Sequence, residues 1–313
     1  MAPSLHNAQP WRFIHCTDSR SVALYGDPDR TLPYGDVEHR ALHLGCGAAL
    51  SNLLVVTVHA SWTATVGLLP DPGAPWHLAD AALDEAEVED ADRDLADLHR
   101  AIRRRHTSRF PFSDEQIPEP VFDGLRSAAL LEGCRLITPS AWHADTMVME
   151  LVHDAELLEA ANEAVRAEIA TWTRTGRADE GPAADGIPAD ALGPRQCGVS
   201  SPVRDFDPSR RVPDRAVAVL EEHPQIAPLG TVQGTPADWL SAGQAMQRVL
   251  LQATLSGLAT SLMSQPLEWP DLRSSVRDPN SAIGFVHMVF RLGYGPQGAA
   301  TPRRPVTEVL SFE

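Results

Sequence analysis

Lysine is absent from this sequence: all 26 basic residues are arginine. Without a side-chain primary amine no Schiff base can form, which excludes pyridoxal-phosphate and class I aldolase chemistry, and no lysine can complete a P-loop. Cysteine is scarce. Cys16, Cys46, Cys134 and Cys197 lie far apart with no Cys-x-x-Cys pair, so reduced thiols in a cytosolic protein are expected. Net positive charge is also missing. A formal charge of −16 argues against nucleic acid or an anionic membrane as the main partner. No basic-then-apolar leader opens the sequence, and no run of about 18 apolar residues stands out as a membrane span. A cytoplasmic protein is the expectation.

What is present is ordinary globular material: 313 residues, 43% of them hydrophobic, enough for two domains or one domain of two halves. Short strands are expected at 11–14 and 22–25, and a long apolar helix over 37–60 with Asp36 as its cap. A strand at 63–69 follows, then an acidic stretch over 80–98 and a helix over 95–103. The second part reads as a helix over 118–129, a strand at 135–137 and one long helix over 141–173. Strands at 216–220 and 226–231, a helix over 239–257, a strand at 285–292 and a tail over 301–310 complete it.

The two central helices resemble each other. Gly243 and the residues after it overlay Gly47 and its successors, small on small and apolar on apolar, with Gly257-Leu258 over Ser61-Trp62. That is the pattern of an internal duplication of one α+β unit. Residues 174–215 break it. Gly, Pro, Asp and Ser dominate there, as in a lid, a binding loop or a disordered insertion.

Two stretches carry the chemistry. Ala2-Pro3-Ser4-Leu5-His6-Asn7-Ala8-Gln9-Pro10-Trp11 is a turn of small polar residues leading into a strand. Arg103-Arg104-Arg105-His106-Thr107-Ser108-Arg109 is a cationic cluster in an acidic chain, and clustered guanidiniums suit a phosphate. The plainer reading is an exposed helix end balancing Asp92, Asp94 and Asp97. His39 and His43 stand four apart on a helix without a third ligand, which favours a solvated face over a metal.

These stretches, together with Gly257-Leu258-Ala259, Pro266-Leu267-Glu268, Arg291 to Pro296 and Thr301-Pro302-Arg303-Arg304, run in one order from end to end. In that order they resemble the nitroreductase superfamily of FMN-dependent oxidoreductases, most of all its Acg-type branch. The resemblance implies an α+β nitroreductase-like fold, with two tandem halves forming a fused pseudo-dimer of mixed or antiparallel sheets wrapped by helices. The halves would be 1–98 and 99–313, the second carrying most FMN contacts and the lid-like insertion. Members usually carry a helix before the opening motif, and here the first half is read as lacking it.

By the same resemblance Arg105, Thr107 and Arg109 would hold the FMN phosphate, assisted by Arg303 or Arg304. Pro3, Ser4, Leu5 and Asn7 would approach the flavin from the other half, and Pro266, Leu267 and Glu268 would lie along its ring. The counterpart of the opening motif in the second half, Leu130 to Ile137, has lost the Ser and the Asn. One FMN per chain follows, in a monomer built as a pseudo-dimer, with NAD(P)H as reductant. Flavin chemistry needs no protein nucleophile, so no catalytic side chain is expected. Two rivals remain: an FMN-sequestering protein whose site is closed by the lid, and a degenerate relative with no cofactor.

Overall fold

The structure, a computed structural model, describes residues 1–85, 90–137, 145–176, 183–197, 201–221, 223–277 and 283–313. Apolar alternation builds Trp11–Cys16 (β1) and Ser21–Gly26 (β2) into an antiparallel pair. Asp36 then caps the helix Arg40–His59 (α1), its carboxylate accepting from the Ala41 and Leu42 N–H groups at 2.8 Å. The helix starts at Arg40 rather than at 37 because His39 takes a left-handed φ of 58°. Trp62–Leu68 (β3) follows, then His77–Glu85 (β4). The sequence pattern hides β4, because its buried positions include alanines and its outward ones carry Asp80 and Asp84.

The expected helix over 95–103 is two pieces, Asp90–Asp97 (α2) and His99–Ile102 (α3). Glu119–Leu130 (α4) and Arg135–Leu136 (β5) come next. The helix expected over 141–173 is also divided, into Asp145–Ala161 (α5) and Glu163–Thr171 (α6); residues 141–144 lie outside the described residues. Asn162 makes the break: its backbone is extended, and its side chain caps α6 at the Ala164 and Val165 N–H groups.

Arg195–Gln196 (β6) and Val217–Ala218 (β7) form a two-stranded ribbon. Gln225–Thr231 (β8) leads into Pro236–Leu255 (α7), which opens on a Thr235–Asp238 capping box. Ala259–Met263 (β9), Gln265–Glu268 (α8), Pro270–Ser275 (α9) and Phe285–Gly293 (β10) follow. Val306–Val309 (α10) and Leu310–Phe312 (β11) close the chain.

The two main sheets repeat one topology. Their orders are β1-β2-β4-β3 and β5-β8-β10-β9, antiparallel throughout, and each carries a 20-residue helix between its second and third strands in sequence. The first gains a fifth strand from the tail, β11, parallel to β1. The helices α1 and α7 pack together in the main core, and their contact is reciprocal. A Cβ on Gly47 would stand 2.2 Å from the Leu240 carbonyl oxygen, and one on Gly243 would stand 2.2 Å from that of Leu44. Only glycine permits an approach that close.

By length and composition α1 could cross a membrane, against the expectation that no run is apolar enough to do so. Most of it is buried inside the protein against α7. The described part of the 174–215 segment packs around Ile187, Ala191, Leu192, Phe206 and Val212, a small core shared with Val165 and Ile169 of α6. Arg195–Asp207 and Arg215–Asp205 ion pairs, at 3.0 and 2.7 Å, brace it from within.

Candidate functional site

The opening loop, the residues after α3, the start of α1, the lid segment and the tail meet around one cavity of about 940 Å3, its open mouth included. It is lined by Pro3, Ser4, Leu5, Asn7, Arg105, Thr107, Arg109, Glu268 and Arg303 among the residues singled out from sequence. The other three do not line it. Pro266 is buried, and Leu267 packs in the cluster of Val148 and Val152 while its carbonyl accepts from Arg40. Arg304 is not in the lining either: its buried side chain donates to the Gln9 carbonyl at 3.2 Å and lies 3.6 Å from Asp27.

The opening loop is shaped by its own hydrogen bonds. Ser4 Oγ accepts from the Gln9 N–H at 2.9 Å, and the Ser4 carbonyl from Asn7 N–H at 3.0 Å. His6, Asn7 and Gln9 all hold left-handed φ values of 51–56°, a strained conformation for residues other than glycine. Asn7 spends its amide on protein. It donates to the Gly186 and Pro302 carbonyls and accepts from Arg303 at 2.9 Å, stitching loop, lid and tail together.

The cationic cluster divides by burial. Arg103 and Arg104 are exposed, whereas Arg105 is 3% exposed at the cavity wall. Arg105 donates once, to the Met1 carbonyl at 3.0 Å, and its Nε and Nη1 have no protein partner. Burial, and then the nearby Arg303, pull its pKa down to about 9. Arg303, pulled down to about 10 by burial, also keeps an unpartnered Nε. Thr107 is fixed by bridging to Thr260 beside β9. Arg109 donates to the Ala191 carbonyl at 2.7 Å and lies over the Phe206 ring, its pKa lowered to about 10 by burial and by Arg204 and Arg215.

This end of the cavity holds buried cationic donors with no carboxylate bonded to them. Buried N–H groups without partners are costly, and two guanidiniums drawn together add repulsion. A phosphate dianion removes both penalties at once, so the residues present fit a phosphorylated ligand.

Beside Arg109 stands a second group of side chains, most of which no sequence motif marks. Phe206 of the lid reaches the cavity and meets the His6 ring edge-on, with centroids 5.6 Å apart. Beside it Arg204 is 6% exposed and donates to Glu159 at 2.6 Å and Glu268 at 2.7 Å, so its pKa rises. His6 lines the cavity with neither ring nitrogen bonded to protein, and burial, then Arg204 and Arg109, push its pKa well below the usual range. Arg40, a cavity residue at the start of α1, donates to the His287 and Leu267 carbonyls. Gly186 and Arg204 sit in stretches without hydrophobic periodicity, which is why only their contacts expose their role.

His43 rests its Nδ1 on the His39 carbonyl and its ring edge on Trp239, while His39 leans on Trp76. Among the described residues no group of three or more His, Cys, Asp or Glu side chains gathers around a point.

The model of the nitroreductase family matches residues 102–278, which include Arg105, Thr107, Arg109 and Glu268 of the cavity wall. A Mycobacterium tuberculosis protein named "Putative NAD(P)H nitroreductase acg" is 33% identical over 320 residues, covering 99% of this chain and 92% of its own length. Among solved structures, the FMN-dependent nitroreductase NfnB from Mycobacterium smegmatis, in complex with NADPH, superposes at a TM-score of 0.41. It is 16% identical and the match covers 70% of this chain and 99% of that one. On the family match and the near full-length relative, this chain belongs to the nitroreductase family.

Proposed function

We propose that this chain binds one FMN in the cavity and uses it as an NAD(P)H-dependent oxidoreductase of the Acg type. The observation that carries the reading is the buried, donor-only end formed by Arg105 and Arg303, which suits the FMN phosphate. When bound, FMN supplies hydride acceptance and hydride delivery. The chain supplies the rest. Arg105, Thr107, Arg109 and Arg303 would hold the phosphate, and Ser4, Leu5, Leu44, Glu268, His6 and Arg40, which line the same cavity, would contact the rest of the flavin.

Shared sheet topology and the reciprocal Gly47–Gly243 contact support a fused duplication, with residues 1–98 as one half and 99–313 as the other. A monomer with one site is the matching assembly, since the counterpart of the opening motif lacks its Ser and Asn. Cysteine usage and acidity favour the cytoplasm.

A second reading has its own observation: Phe206 and Ile187 of the lid line the cavity, and Arg204 ties that lid to Glu268. A protein so closed stores FMN rather than using it. Anaerobic stopped-flow mixing of the yellow holoprotein with NADPH separates the two. Bleaching within seconds supports turnover. Bleaching by dithionite but not by NADPH supports storage, and a colourless protein that takes up no FMN removes both.

A further inference from the structure

The stretch from Arg291 to Pro296 carries one of the sequence motifs, yet none of its residues lines the cavity. Its partners are the residues that follow the cationic cluster. Arg291 is fully buried on β10 and grips Glu221, just past β7, at both carboxylate oxygens: Nε donates to one and Nη2 to the other at 2.7 Å. Nη2 also donates to the Phe110 carbonyl at 3.0 Å, and Glu221 Oε2 accepts from the Phe112 N–H at 3.0 Å. The guanidinium lies 3.7 Å from the centroid of the Phe112 ring. Farther along, the Tyr294 carbonyl accepts from the Ser113 N–H at 2.7 Å and the Pro296 carbonyl from Ser108 Oγ at 2.6 Å. We propose that the buried Arg291–Glu221 pair is a positioning clamp that sets Thr107 and Arg109 for phosphate binding at the cavity wall.

The inference rests on the phosphate reading and adds what holds that site in place. A buried ion pair is a poor source of stability, because desolvating both charges offsets most of their attraction. Arg291 Nη1 has no partner among the described residues, which adds to the penalty. Apolar side chains of similar volume would fill the space as well. They could not fix direction. The planar fork binds a carboxylate and a carbonyl at set angles, and through them the backbone at Phe110 and Phe112.

That backbone begins one residue after Arg109. On the other side the Ser108 N–H donates to the Thr260 carbonyl at 2.8 Å, and a Cβ on Gly298 would overlap the Thr107 carbonyl oxygen. The segment is held before and after Arg109, which leaves Thr107 and Arg109 lining the cavity at a fixed spacing.

The test uses flavin-free protein with inorganic phosphate as the probe. Arg291→Lys keeps the buried charge but cannot hold Glu221 and Phe110 together, and Arg291→Met with Glu221→Leu removes both charges without stranding either. Leu125→Ala, which truncates a fully buried residue of α4 outside the cavity lining, is the control for lost stability. Phosphate affinity is read by isothermal titration calorimetry at a temperature where every variant is folded. It is expected to weaken about 10-fold in both clamp variants and less than about 2-fold in Leu125→Ala. Amide exchange across 107–113 is expected to quicken about 10-fold in the clamp variants, with α1 and α7 unchanged. Unchanged phosphate affinity in the clamp variants, an equal loss in Leu125→Ala, or unchanged exchange across 107–113 overturns the clamp. If wild type itself binds no phosphate, the phosphate reading fails, and exchange across 107–113 still decides whether the pair holds the segment.

Discussion

Arg105 lies in the cavity wall and Arg204 is bonded to Glu268 of that wall; both are buried, yet their electrostatic states are opposite. Arg105 has one carbonyl and a neighbouring arginine, and its proton is held less tightly than in water. Arg204 has two carboxylates at 2.6 and 2.7 Å, and its proton is held more tightly. Burial is nearly the same. What differs is the partner. One arginine keeps donors that suit an anion from outside, whereas the other is paired with carboxylates of the chain itself.

The comparison can be broken from either end. Replacing both Arg105 and Arg109 by Ala removes the anion site, and FMN affinity is expected to fall by two orders of magnitude or about that, read by flavin fluorescence titration. Full retention of FMN sinks the phosphate assignment. At the other end, Arg204→Met strands Glu159 and Glu268, a change of about 3–5 kcal/mol for a buried pair. That cost is expected to appear as faster hydrogen exchange across 183–221, with α1 and α7 unaffected. Exchange that rises equally everywhere would mean Arg204 holds the fold and not the lid.

Smaller perturbations sharpen the contrast. Gly193 holds φ at +68°, and a Cβ there would lie 2.7 Å from the Arg109 carbonyl oxygen. Gly193→Ala is therefore expected to cost about 1–3 kcal/mol and loosen the lid from Arg109. Inorganic phosphate at ten times its dissociation constant should stabilise flavin-free wild type by about 1.4 kcal/mol and leave Arg105→Ala unmoved, as read by thermal melting.

A pH dependence is expected beside the Arg204 pairs. Burial, then Glu159, raises the Glu156 pKa from 4.5 to about 7. Between those values the folded chain binds a proton that the unfolded chain releases, so this contribution is present at acid pH and lost as pH rises through 7. Glu156→Gln should flatten the fall in melting temperature between pH 5 and pH 7.5. An identical slope in the variant would place the titration elsewhere.

Much of the fold is legible in sequence because its cause is local. Asp36 caps, Thr235 boxes and the apolar runs of α1 and α7 each declare themselves within a few residues. The same is true of motif residues whose order matches the family. What stays hidden depends on distant partners. The strand β4 is held by β2 and β3 on either side, and its own alanines carry little signal. Asn162 divides a continuous helical pattern because its side chain finds the N–H groups of α6. Pro266, Leu267 and Arg304 match the motif yet do not line the cavity, since α8 presents only Glu268 to it and Gln9 and Asp27 hold the buried Arg304 side chain elsewhere.

The sequence by itself determined the duplicated pattern, the absence of lysine chemistry, and the arginine cluster that an acidic chain has reason to keep. Tertiary structure decided which arginines matter. Arg103, Arg104, Arg105 and Arg109 are equivalent as letters, and only burial separates two solvated charges from two at the cavity wall. It also brought Phe206 and Arg204 to His6, across separations of more than 150 residues. Charge and periodicity are properties of the chain, whereas desolvation, and the partners that offset it, arise only when distant segments are packed together.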